Sequence, residues 1–106
     1  MTLRSKSYLA AARDQACVHC GARDGTVVAA HLTGLRASEF GKGRGVKPHD
    51  VCVADLCQRC HQQYDSYRAS NLSGEYIRKI DQSEQMLTDI LRTMIRRIEQ
   101  GVITIP

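Results

Sequence analysis

Two Cys-x-x-Cys pairs, Cys17–Cys20 and Cys57–Cys60, constrain this chain more than any other feature. Four thiolates in two such pairs are the donor set of a closed, tetrahedral Zn²⁺ site. The competing readings are a disulfide framework, a redox motif, or small residues buried as hydrophobes. The opening stretch MTLRSKSYLAAARDQ carries basic residues, but its apolar run is too short for a secretion signal and soon becomes charged. Thiols in a cytosolic chain stay reduced, so the paired spacing points to metal. His19, inside the first pair, is either a substitute ligand or simply exposed. Cys52 stands outside both pairs and reads as a core residue.

A metal staple suits the size of the chain. The 106 residues make one domain, 1–106, and a chain this short buries only a modest share of its surface. A charged fraction of 25% and a hydrophobic fraction of 42% are those of a folded protein rather than a disordered one. With one Phe, four Tyr and no Trp, the core must be mainly aliphatic. No run approaches the length of a membrane span.

The pattern along the chain predicts a mixed α+β domain. Residues 3–14 read as a short helix. Cys17 to Gly21 reads as a tight knuckle, with Gly21 free to take positive φ. Thr26 to Leu32 (TVVAAHL) is β-branched and apolar and predicts a strand ending near His31. Residues 33–48 hold four glycines and a proline and read as a long loop. Loops this long in a small domain are functional or mobile. Asp50 to Val53 predicts a second strand. The second knuckle leads into a helix over about 60–69, and Asn71 to Gly74 reads as a break with Ser73 as N-cap. From 73 to 100, Tyr76, Ile77, Ile80, Leu87, Ile90, Leu91, Met94, Ile95 and Ile98 mark a long amphipathic helix, closed by Gly101. Val102 to Ile105 reads as a short terminal strand.

Charge narrows the partner. Net charge is +4 with pI near 8.9, which permits a polyanion without requiring one. Arg36, Lys42, Arg44 and Lys47 cluster among glycines, and Glu39 is the only acid among them. Glycines let backbone and cations approach phosphates closely, so the loop reads either as a DNA-backbone contact or as a solvated surface. Arg92, Arg96 and Arg97 give the last helix a basic face with the same two readings.

His61 and Asp65 lie four apart on a predicted helix, hence on one face, where an imidazole and a carboxylate can share a divalent cation. A surface His–Asp pair without metal is the plain alternative. The order of strand and His31, Gly-rich loop, Asp50, Leu56-Cys57-x-x-Cys60-His61 and helix resembles the HNH endonucleases of the ββα-metal (His-Me finger) superfamily. The run AHL…G-x-G-x-G-x-K-P-x-D…L-C-x-x-C-H-x-x-x-D, within about residues 17–66, looks closer still to a subset of small phage and prophage nuclease-like proteins that includes a recombination-associated group. The ending Glu99-Gln100-Gly101-Val102-Ile103 also resembles that group.

The resemblance implies a zinc-stapled ββα-metal core over 17–69, flanked by the N-terminal helix and the long C-terminal helix. It implies His31 as the general base that activates water. His61 and Asp65 would be ligands of a catalytic Mg²⁺, Mn²⁺ or Zn²⁺. Asp50 stands where the motif has its central Asn, and either fixes the geometry of the His loop or supplies a metal-binding carboxylate. Cys17, Cys20, Cys57 and Cys60 would hold structural zinc. The implied partner is DNA, contacted mainly through its backbone by Arg36, Lys42, Arg44 and Lys47, in the cytoplasm of a bacterial host. Two positions depart from the family pattern: Ala30 replaces an acidic ligand, and Asp50 replaces Asn. His49 is a reserve candidate for base or ligand. A non-catalytic zinc module that binds DNA or protein through a degenerate site is the alternative function. A helical adaptor resting on the C-terminal stripe is the third.

Overall fold

The computed structural model describes residues 2–34, 36–65 and 72–105, with backbone alone over 72–79. Its elements are helix α1 (Lys6–Ala10), strand β1 (Val28–His31), a 3₁₀ turn (Ala37–Phe40), strand β2 (Val53–Leu56), helix α2 (Gln58–Asp65) and helix α3 (Leu72–Glu99). The class is α+β, as the pattern of periods predicts. No helix among the described residues is long and apolar enough to cross a membrane.

Local chemistry sets the elements. Ser5 caps α1 by accepting from the Tyr8 N–H at 3.2 Å. The helix is shorter than the expected 3–14: after Ala10 the chain passes through turns to Asp14 at φ +60°, whose carbonyl is held by the Arg23 guanidinium. Gly21 takes φ +81° and donates to the Cys17 carbonyl, closing the first knuckle.

The two strands pair antiparallel, Val28 with Leu56 through His31 with Val53. The second strand thus lies three residues beyond the expected Asp50–Val53. Asp50 is drawn into contacts with the N-terminal segment, described below, and Asp55 enters the sheet because arginines neutralise it. A continuation of α2 to residue 69 and the break at Asn71 lie outside the described residues. Because α3 begins at Leu72, Ser73 lies within it rather than capping it. Residues 102–105 form turn and coil, not a strand.

The core contains Val27, Leu32, Leu56, Met86 and Ile90 together with Cys17, Cys57 and Cys60. Helix α3 packs on β2 by a face rotated from the expected stripe, which keeps Ile90 in the core with Leu87 and Met94 at its edge. Met86, Ile90, Thr93 and Arg97 point inward, while Leu91 and Ile95 are 60% and 59% exposed. The reason is Asp55, fully buried on β2. Arg97 Nη2 and Nη1 donate to its two oxygens at 2.6 and 2.8 Å, and Arg96 Nη1 donates at 3.0 Å. Arg97 Nε donates to the Tyr8 carbonyl at 2.7 Å, and its guanidinium lies 5.1 Å from the Tyr8 ring centroid. A charge pair with this many satisfied donors is tolerated in a core. The expected basic outer face of α3 is therefore corrected: Arg97 is wholly buried and Arg96 mostly so.

Candidate metal centre and the cleft beside it

Folding brings the four paired cysteines together. Their sulfurs all lie within 4.8 Å of one another, and Cys20 and Cys57 Sγ are 3.7 Å apart. Zn–S bonds of about 2.3 Å at tetrahedral angles place sulfurs about 3.8 Å apart. The cluster thus has the size and donors of a structural zinc site. The Val18 N–H donates to the Asp55 carbonyl, tying the first knuckle to the sheet, while Cys57 follows β2 directly and its carbonyl accepts from the His61 N–H of α2 at 2.9 Å. His19 is not needed as a ligand. Its Nδ1 pairs with buried Asp89 at 2.8 Å, and the Tyr64 hydroxyl donates to the same oxygen. Burial and then Asp89 push the Tyr64 hydroxyl well above the ordinary phenol range, so it stays protonated and donating.

At the end of β1, His31 Nε2 lies 2.8 Å from Asp50 Oδ1. Asp50 is buried. Burial pushes its carboxyl up, but hydrogen bonds from His31, the Ser5 N–H and Arg4 outweigh that and hold it below the ordinary range. Asp50 is therefore an ionised acceptor, and His31 Nε2 must carry the proton toward it. In the neutral imidazole the lone pair is then on Nδ1, which has no hydrogen-bond partner among the described residues. Asp50, expected also as a cation ligand beside His61 and Asp65, has both oxygens hydrogen-bonded here. Oδ1 accepts from His31 and Arg4, and Oδ2 from the Ser5 N–H at 2.7 Å. His49 is likewise occupied, its Nδ1 accepting from the Leu3 N–H at 2.9 Å.

A cleft of ≈ 520 Å³ opens between β1, the glycine loop and α2. His31, Lys42, Lys47, His61 and Asp65 all line it, so residues from both halves of the chain meet there. His61 Nε2 and Asp65 Oδ2 are 3.2 Å apart on successive turns of α2, both partly open to solvent. They offer two cation ligands. Among the described residues the only group of three or more closely placed candidate ligands is the cysteine cluster. Ala30, on the cleft wall, adds no donor. Of the four expected DNA contacts, Lys42 and Lys47 line the cleft, while Arg36 pairs with Glu39 at 3.5 Å on the outer surface. Arg44 sits in the tight turn closed by the Gly43–Val46 bridge, outside the cleft lining.

Sequence reasoning passed over Arg4, Ser5, Asp55 and Asp89. Arg4 and Ser5 sit in an ordinary basic, polar lead-in, and nothing in their spacing signals a contact with residue 50. No protein-family model matches the chain, and no curated protein or solved structure is significantly similar to it.

Proposed function

We propose that this chain is a metal-dependent endonuclease of HNH type, hydrolysing DNA phosphodiester bonds within a zinc-stapled ββα-metal core. One observation carries the reading: a single cleft holds an imidazole anchored on a carboxylate, a second imidazole paired with Asp65, and two lysines.

The chemistry follows from these parts. His31, with Nε2–H fixed on Asp50, presents Nδ1 to accept a proton from the attacking water. Lys42 and Lys47 draw the phosphate backbone into the cleft in a salt-sensitive way and without sequence readout. A divalent cation on His61 and Asp65 would supply Lewis-acid stabilisation of the crowded phosphate and of the departing 3′ oxygen. On the resemblance to phage and prophage proteins, the activity we propose would serve DNA recombination or processing in the bacterial cytoplasm.

Ala30 and the commitment of Asp50 favour a second reading, a zinc module that binds DNA without cutting, because they leave the cleft two protein ligands for a cation. Plasmid nicking with Mg²⁺ or Mn²⁺ separates the two. The nuclease reading expects metal-dependent nicks that fall ~10²–10⁴-fold in His31→Ala, with a larger loss in His61→Ala. Salt-dependent DNA binding with no cutting by wild type would leave the module. Equal cutting by His31→Ala would remove that residue as base.

A further inference from the structure

The residues that resemble a known motif begin at Cys17, yet the group that orients His31 is itself held by residues 3–5. The Asp50 N–H donates to the Leu3 carbonyl at 2.9 Å, and the Leu3 N–H donates to His49 Nδ1. The Ser5 N–H takes one Asp50 oxygen. Arg4 does most. Its Nη1 donates to Asp50 Oδ1 at 3.0 Å and to the Pro48 carbonyl at 2.6 Å, and its Nη2 donates to the Lys47 carbonyl at 2.8 Å. One guanidinium thus spans the Asp50 carboxylate and the backbone of the loop that carries Lys47 into the cleft.

The loop's other end is fixed at the same place. The His49 N–H donates to the Phe40 carbonyl at 3.0 Å. Gly41, at φ +95°, has no side chain to strike the His49 ring, which lies 3.1 Å from where a Cβ would sit. Residues 3–5 therefore brace Asp50 and the 47–49 end of the glycine loop directly, and reach Phe40 only through His49.

We infer that residues 3–5, through Arg4, are a positioning clamp: they hold Asp50 so that His31 keeps its proton on Nε2 and its lone pair on Nδ1. A carboxylate with a free rotamer would leave both imidazole tautomers open, and only one of them suits a base at Nδ1. Lysine is a poor replacement, because a single ammonium cannot span the carboxylate and two carbonyls in one plane. The catalytic consequence rests on the nuclease reading; the tautomer does not.

The test uses the full chain loaded with zinc, comparing wild type with Arg4→Gln and Arg4→Lys after matching zinc content and circular dichroism. Arg4 is partly exposed, so both variants are expected to fold. Long-range ¹H–¹⁵N spectra of the imidazoles should show His31 as a single Nε2–H tautomer in wild type, a mixture in Arg4→Gln, and partial recovery in Arg4→Lys. Nicking kcat should fall on the order of tenfold to a hundredfold in Arg4→Gln. An unchanged His31 spectrum in Arg4→Gln overturns the clamp, whatever the rate does. If wild type nicks no DNA, the nuclease reading fails by itself and the spectrum still decides the clamp.

Discussion

A thiolate must form before it can bind a cation, and the four sulfurs start from different positions. Burial pushes the Cys17 thiol up, but backbone N–H groups of Cys57, Cys20 and His19 outweigh it and bring it down to about 7. Burial and the crowding of neighbouring sulfurs push Cys60 far up, and Cys57 is also raised. Zinc binding at neutral pH should therefore release at least two protons, from Cys57 and Cys60, plus part of one from Cys17. Affinity rises with pH accordingly. Titration calorimetry in buffers of different ionisation heat checks the count; a release near zero would mean that the sulfurs are not the ligands. Asp50 runs in the familiar carboxylate direction. Its depressed pKa keeps its hydrogen bonds fully present above about pH 4, and they are lost as pH falls through the lowered value. The cysteine spacing announced the four-sulfur cluster, because each Cys-x-x-Cys pair is local in sequence. Arg4 was not legible, because its partners lie more than forty residues away.

At the scale of elements, β2 and α3 explain one another. Valine and leucine at the ends of Val53–Leu56 look like strand, and Asp55 does not. Its counter-charges come from the far end of α3, which no local window contains. The same pair turns α3 so that apolar Leu91 and Ile95 face solvent, while Thr93 and Arg97 face the sheet and Asp89 faces His19 and Tyr64. Hydrophobic periodicity gave the helix its length and type, but it assumed that an arginine seeks water. Stability should follow the observed facing. Asp55→Ala leaves two arginines without their counter-charge and should cost about 3–5 kcal/mol. Leu91→Gln, on the open side, should change stability by less than about 0.5 kcal/mol. Urea unfolding of the zinc-loaded variants measures both, and the reverse ranking would refute this packing.

For the molecule as a whole, the cysteine cluster is part of the core rather than an appendage. Three of its four members are buried among Val27, Leu56 and Ile90. Zinc binding and folding should therefore be one transition. Far-ultraviolet circular dichroism before and after a strong chelator should show loss of most helix. An unchanged spectrum after verified zinc loss would leave the metal ornamental. The order of strand, glycine loop, strand, knuckle and helix was readable along the chain. That β1 and α2 close a common cleft depends on the antiparallel register, which pairs His31 with Val53.

The Asp55–Arg97 contact also settles alignment. Sliding α3 along the sheet by one turn would bring Thr93 opposite the buried carboxylate and strand a full negative charge in a dry interior. A purely oily seam would scarcely notice such a slip, whereas this one admits a single docking position for the longest helix in the chain.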